Sequence, residues 1–228
     1  MIISGCWFHY AQAIIKRLRK IGLTVAYGRD IQVKSVIHCF LGLPLLPEGD
    51  IVQALSDIRG LISIEITNNP SAKQLLGNLG QYVQRQWISK ATIGPGRLSV
   101  RNNSSRTNNV LESFHASLLR RIKVSHPNFF VFLGHLQRTT VDSMSDVSRM
   151  ENGLRIRRPR KKVSLINDNR IKLCIERYGR GSYSRIQFLR AVSHWLGAHT
   201  QNLLLTEQGD DTDEDDDDET GDDGIQIL

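Results

Sequence analysis

Apolar residues along the first ninety positions recur at helical rather than strand spacing. From Phe8 to Ile21, the residues Phe8, Ala11, Ile14 or Ile15, and Leu18 fall at i, i+3 and i+4. Lys16, Arg17, Arg19 and Lys20 crowd the last turn of that stretch, where cations complement the helix dipole, and Gly22 is placed to end it. A second helix is expected over Val33–Leu43, ending before Pro44 and Pro47. A third spans Asp50–Arg59, with Ile51, Ala54, Leu55 and Ile58 on one side, and a fourth spans Ala72–Gln86 despite Gly77 and Gly80. Lys90–Arg106 has the composition of a loop, with a short strand expected at Leu98–Val100. Helices follow over Val110–Ile122 and, after Pro127, over Asn128–Met144. Beyond a basic linker, Ile171–Tyr178 and Ser184–His199 form a small helical module, the latter behind Ser184 as N-cap. At the other end, Ile2–Gly5 has the character of a strand end, so the chain opens inside an element. A chain cut from a longer domain would begin this way.

Charge changes the picture more than composition does. Of 23 acids, twelve lie between Glu207 and Leu228, a stretch with no Lys or Arg. Residues 1–206 therefore carry 30 cations against 11 acids, a net of +19, although the whole chain stands at +7. Such an excess on a body that is 40% hydrophobic, and so able to build a core, points to a polyanionic partner, most simply DNA. The acidic tail, 207–228, is expected to be disordered and suited to a basic partner. Three dispersed cysteines, Cys6, Cys39 and Cys174, fit a reducing compartment, and no apolar run approaches the ~20 residues of a membrane span. The compact run Arg155-Ile156-Arg157-Arg158-Pro159-Arg160-Lys161-Lys162 suits nuclear import or phosphate contact. Those six cations are the candidate DNA-binding residues, and the expected location is the nucleus.

Three segments carry candidate chemistry. The first is Gly5-Cys6-Trp7-Phe8-His9-Tyr10-Ala11-Gln12-Ala13, at a junction into a helix. The second runs from Tyr82 to Trp87-Ile88. The third is Arg106-Thr107-Asn108-Asn109-Val110-Leu111-Glu112-Ser113-Phe114-His115, followed by His126-Pro127-Asn128. In this order and at these separations they resemble the Mutator-like (MULE) DNA transposases, whose core holds a C-x-x-H segment, a Y-x-x-x-x-W-I segment and an R-T-N-N-x-x-E block ending in H-P-N. The resemblance covers about residues 1–136.

The resemblance implies the C-terminal portion of an RNase H-like transposase fold: an α/β remnant, mostly helical, over residues 1–148, with a helical insertion at about 24–90. A basic linker (149–170), the helical module (171–206) and the acidic tail (207–228) would follow. In a complete enzyme of this kind, two Asp and one Glu hold two Mg²⁺ or Mn²⁺ ions for in-line attack on a phosphodiester. Glu112 matches the Glu. The residues alone offer it another role, because Asn109-x-x-Glu112 is also a variant capping box at a helix start. Asn108 and Asn109 either approach substrate or shape the turn. Cys6 and His9 either support the active-site end of the fold or are, respectively, a small apolar and a satisfied polar residue. As a zinc pair they lack two further ligands, for which His38, Cys39 and Cys174 qualify by residue type only. Both aspartates of the family lie upstream of the C-x-x-H segment, and no acid precedes Cys6 here. Asp30, Asp50 and Asp57 fall in the insertion. The expectation is a transposase-derived DNA-binding protein, with no bound cofactor and no strand cleavage of its own, or else a reused interaction module or a fragment of a longer active transposase. An RNase H-like remnant would also expose an open sheet edge and fold poorly alone.

Overall fold

A computed structural model describes residues 5–103, 109–124, 126–156, 161–193 and 196; for 109–112 it describes the backbone alone. Its helices are α1 (Trp7–Lys20), α2 (Thr24–Arg29), α3 (Ile31–Gly42), α4 (Glu48–Glu65), α5 (Pro70–Val83), α6 (Gly94–Leu98), α7 (Asn109–Ile122), α8 (Phe129–Glu151), α9 (Lys162–Gly179) and α10 (residues 185–193). A 3₁₀ turn (Leu43–Leu45) follows α3 and a π turn (Gln84–Ile88) follows α5.

Local signals explain most of these boundaries. Asp30 accepts the Gln32 and Val33 amides at 2.8 and 3.2 Å and so caps α3. Asn69 caps α5 through Ala72 N–H at 3.0 Å, and Asn128 caps α8 through Val131 N–H at 2.9 Å. Ser184 opens α10 with a reciprocal box. Its hydroxyl accepts the Gln187 amide at 3.3 Å, while its own amide donates to Gln187 Oε1 at 2.8 Å. Gly22 ends α1 with φ at +78°, where Gly22 N–H reaches Arg19 O and Leu23 N–H reaches Leu18 O. This is a Schellman closure that tucks Leu23 into the core.

The α/β expectation is corrected here: among the described residues there is no strand and no sheet, hence no RNase H-like core and no open sheet edge. Met1–Ser4 lies outside the described residues. Gly5 N–H donates to Arg97 O, a single bond that starts no ladder. Leu98–Val100, expected as a strand, instead closes α6 and then donates Val100 N–H to Pro44 O at 2.8 Å. Leu98 and Val100 are apolar because they are buried, not because they pair. A short apolar run bounded by turn residues has no periodicity by which burial in a sheet and burial against helices can be told apart.

The core lies around α3, all of whose residues from Val36 to Gly42 are buried. α1, α4 and the elements after residue 161 cover it. Phe188, Leu189 and Val192 of α10 have no exposed surface, and Ile171 and Cys174 of α9 join the same apolar cluster. Gly42 makes the approach of α10 possible: a Cβ there would stand 3.1 Å from Leu189 Cδ2 and 3.2 Å from Val192 Cγ1. α7 and α8 pack on one another, and α8 buries none of its side chains.

Because α9 and α10 share the core of α3, the chain should unfold around it as one unit. Phe188→Ala should cost about 3–5 kcal/mol, and Gly42→Val about 1–3 kcal/mol by overpacking. In thermal unfolding followed by circular dichroism, both should lower the midpoint of the main transition. A separate early transition confined to the C-terminal helices would contradict this.

Candidate nucleic-acid interface

The structure brings the first two motif segments together. Cys6 is the N-cap residue of α1, in extended conformation and half-buried, without a side-chain capping bond. One turn on, Trp7 Nε1–H donates to Leu41 O at 2.9 Å, and Tyr10 O–H donates to Phe40 O at 2.8 Å. Burial raises the Tyr10 hydroxyl pKa far above its ordinary value, so it stays a neutral donor. The Trp87 ring meets Tyr10 edge-on at 5.0 Å, and the Arg17 guanidinium lies 5.3 Å over the Tyr82 ring. The two motifs therefore clamp α1 against the π turn and α3. In this fold their aromatic residues do structural work.

His9 is exposed on the outer side of α1. Cys6 and His9 are joined by no third donor: among the described residues no three His, Cys, Asp or Glu side chains gather in metal-binding geometry. His38 is instead bonded to Tyr27 Oη at 2.8 Å, and burial pushes the Cys39 thiol up to about 12. Glu112 and Asn109 lie in the first turn of α7, with their side chains outside the described residues, as are Asn108, Arg157, Arg158 and Arg160. α7 begins at Asn109. Arg155 and Lys161 are exposed between α8 and α9, and Lys162 is exposed at the start of α9.

The remaining aspartates of the helical region are committed elsewhere, so the described donors do not fit a two-metal centre. Asp30 caps α3. Asp50 accepts the Tyr178 hydroxyl at 2.8 Å, and Asp57 accepts Arg185 Nε at 2.7 Å. Glu65, further along the same side of α4, pairs with Arg190. Between α4 and the α9–α10 corner, Asp50, Asp57, Tyr178 and Arg185 line a cleft of about 520 Å³ together with Arg101, Tyr183 and Ser184. Arg101 stacks 5.5 Å over Tyr178 and donates to Ile175 O at 3.2 Å. Desolvation first, and the bond to Asp50 second, raise the Tyr178 hydroxyl to about 12. Sequence reasoning missed this corner. The only signal was Asp50, Asp57 and Glu65 at near-heptad spacing on one helix, which names a face but no partner.

What results is a separation of charge. Several acids are held in caps and ion pairs, and exposed Asp142 pairs with Arg121 at 2.5 Å on the α7–α8 pair, while Glu48, Glu151 and Glu176 are exposed. Cations stand outside: Lys16, Lys20, Arg29, Lys34, Arg85, Lys90, Arg97, Lys161 and Lys162 are all exposed. No helix among the described residues is long and apolar enough to cross a membrane. In comparisons with known proteins, no family model, no curated protein and no solved structure matches the chain.

The Asp57–Arg185 pair makes stability depend on pH. The Arg185 hydrogen bond holds the Asp57 carboxyl below its usual range, so its contribution is complete above the unfolded pKa and is lost as pH falls through the folded one. With both side chains partly exposed, the contribution should be roughly 1 kcal/mol or less. Asp57→Asn should destabilise at pH 7, and the gap to the parent chain should close as the pH is lowered from 5 to 2. A gap of constant size in urea titrations would refute the assignment.

Proposed function

We propose that this chain is a transposase-derived protein that binds duplex DNA through its phosphates and, by itself, neither cuts nor joins strands. The supporting observation is the separation of charge just described. Residues 1–206 carry a net +19, and four acids of the helical body, Asp30, Asp50, Asp57 and Glu65, are engaged by the α3 N-terminus, Tyr178, Arg185 and Arg190. Phosphate contact is sequence-tolerant and driven by counterion release. The run Arg155, Arg157, Arg158, Arg160, Lys161 and Lys162 adds phosphate contacts and a nuclear-import signal. The transposase origin rests on the ordered motif segments alone, and Glu112 is the one carboxylate that this origin assigns to Mg²⁺ or Mn²⁺ chemistry. A second reading, reuse as an interaction module, is favoured by the first two motifs having become structural clamps.

If about four phosphates are neutralised, the affinity for a random duplex should fall with salt at a log–log slope on the order of −3 to −4. Affinity independent of salt would sink the proposal. Incubation of the full chain with duplex DNA and Mg²⁺ or Mn²⁺ should leave the strands intact. Cleavage abolished by Glu112→Gln would show that the chain completes a metal site from its own residues.

A further inference from the structure

α8 turns its apolar side to solvent. At about 100° per residue, Phe129, Phe130, Leu133, Val141, Met144 and Val147 fall within an arc of about 120°, and each is between 39% and 81% exposed. The four charges before the last residue of the helix, Arg138, Asp142, Asp146 and Arg149, fall on the opposite side. α7 lies toward that side: Asp142 pairs with Arg121 of α7, and His135, Thr139 and Asp146 beside it are half-buried.

Along the apolar side runs a seam with alternating spacings of three and four: Phe130, Leu133, Gln137, Thr140, Met144 and Val147. This is the repeat by which two helices pack as a coiled coil. It runs apolar, polar, apolar from either end. An antiparallel second copy therefore sets Phe130 against Val147, Leu133 against Met144, and the Gln137 amide against the Thr140 hydroxyl. Large meets small at the outer pair. The central polar pair fixes the register, because a slip sets Gln137 or Thr140 against an apolar group. Phe129 and Phe130 alone offer roughly 300 Å² at about 200 Å² per aromatic side chain. That is over a third of the ~800 Å² that each partner of a standard interface buries. Leu133, Val141, Met144 and Val147 extend the patch along about 27 Å of helix, and contiguous apolar patches of this size mark interaction sites.

We infer that the outer side of α8 is the interface through which two copies of this chain associate as an antiparallel, two-fold pair. Charge chooses the occupant. Residues 1–206 are strongly cationic, so two copies repel where their cations meet. The seam lets them touch with no charge between them. Segment 207–228 is a poor cover for it, since its twelve acids would be desolvated against an apolar stripe. A lipid surface fits less well, because a helix that lies on a membrane carries an excess of Lys and Arg on its polar side. α8 sets two Arg against two Asp there.

Sedimentation equilibrium of the full chain at about 1 M salt, where bridging by polyanions is screened out, should give a mass that rises with concentration to twice that of one chain. Phe130→Asp and Met144→Asp should each weaken the association by roughly thirtyfold or more, with helix content by circular dichroism unchanged. The mass of one chain at every concentration would overturn the inference and leave α8 to another occupant, such as the chain's own apolar residues 203–205. A dimer that both substitutions leave intact would place the interface elsewhere and refute it equally. Disulfide trapping tests the register without either Asp variant. A mixture of Leu133→Cys and Met144→Cys chains should form a disulfide-linked dimer that neither chain forms alone. Across the two-fold, each of these positions lies about 16 Å along the axis from its own copy, too far for a disulfide. The parent chain, with Cys39 and Cys174 buried and Cys6 half-buried, serves as the blank. Self-linking of the single variants, or a mixture that stays unlinked, would refute the antiparallel seam.

Discussion

The fold depends on satisfying backbone carbonyls where α3 ends. An α-helix leaves its last four C=O groups without helical partners, and here that end is fully buried, with Leu41, Leu43, Leu45 and Leu46 all at 0% exposure. Water cannot reach these oxygens, and each one left unmet costs about 1–3 kcal/mol. The chain brings its donors from far away in sequence. Trp7 and Tyr10 serve Leu41 and Phe40, Val100 N–H serves Pro44, and the Ser99 hydroxyl serves Leu46 at 2.7 Å. These bonds place α1 and the 98–100 segment at opposite approaches to one turn, and with them the aromatic clamp of Trp87 and Tyr82.

The same geometry distributes the charge. α4 turns Ile51, Ala54, Leu55, Ile58 and Ile62 inward and offers Asp50, Asp57 and Glu65 to the α9–α10 corner, so the acids of the body are spent on holding its own C-terminal helices. α1 carries Lys16, Arg17, Arg19 and Lys20 and no acid. The net charge of +7 understates the excess of cations in residues 1–206 because twelve of the 23 acids lie in 207–228.

The α7–α8 pair stands apart in character. Phe129 and Phe130 are 67% and 81% exposed, and Val141, Met144 and Val147 are more than half exposed. Two helices with this much apolar surface in water are held by their mutual contact and by the Arg121–Asp142 pair. Glu112 lies in the first turn of α7, with its side chain outside the described residues.

Helix identity was legible in the sequence, because amphipathic spacing and caps act over a few residues. α1 with its Gly22 terminator, the inner side of α4 and the Ser184 start of α10 all follow from contacts within two turns. The length of α8, which runs to Glu151 and not Met144, was not, because no breaker stands between those residues. Nor was the absence of a sheet among the described residues: the motif resemblance implied one, and the apolar Leu98–Val100 run has no period to contradict it. Of the candidate site, the sequence by itself determined the residue types and the net charge, since both are sums over the chain. Only the tertiary structure decided that Trp7, Tyr10 and Trp87 clamp the end of α3, that Asp50 and Asp57 are taken by Tyr178 and Arg185, and that cations are left outside. Those pairings join residues 30 to 128 positions apart. At such separations the partner is chosen by which buried group lacks a bond once the helices have packed, and no local pattern records that choice.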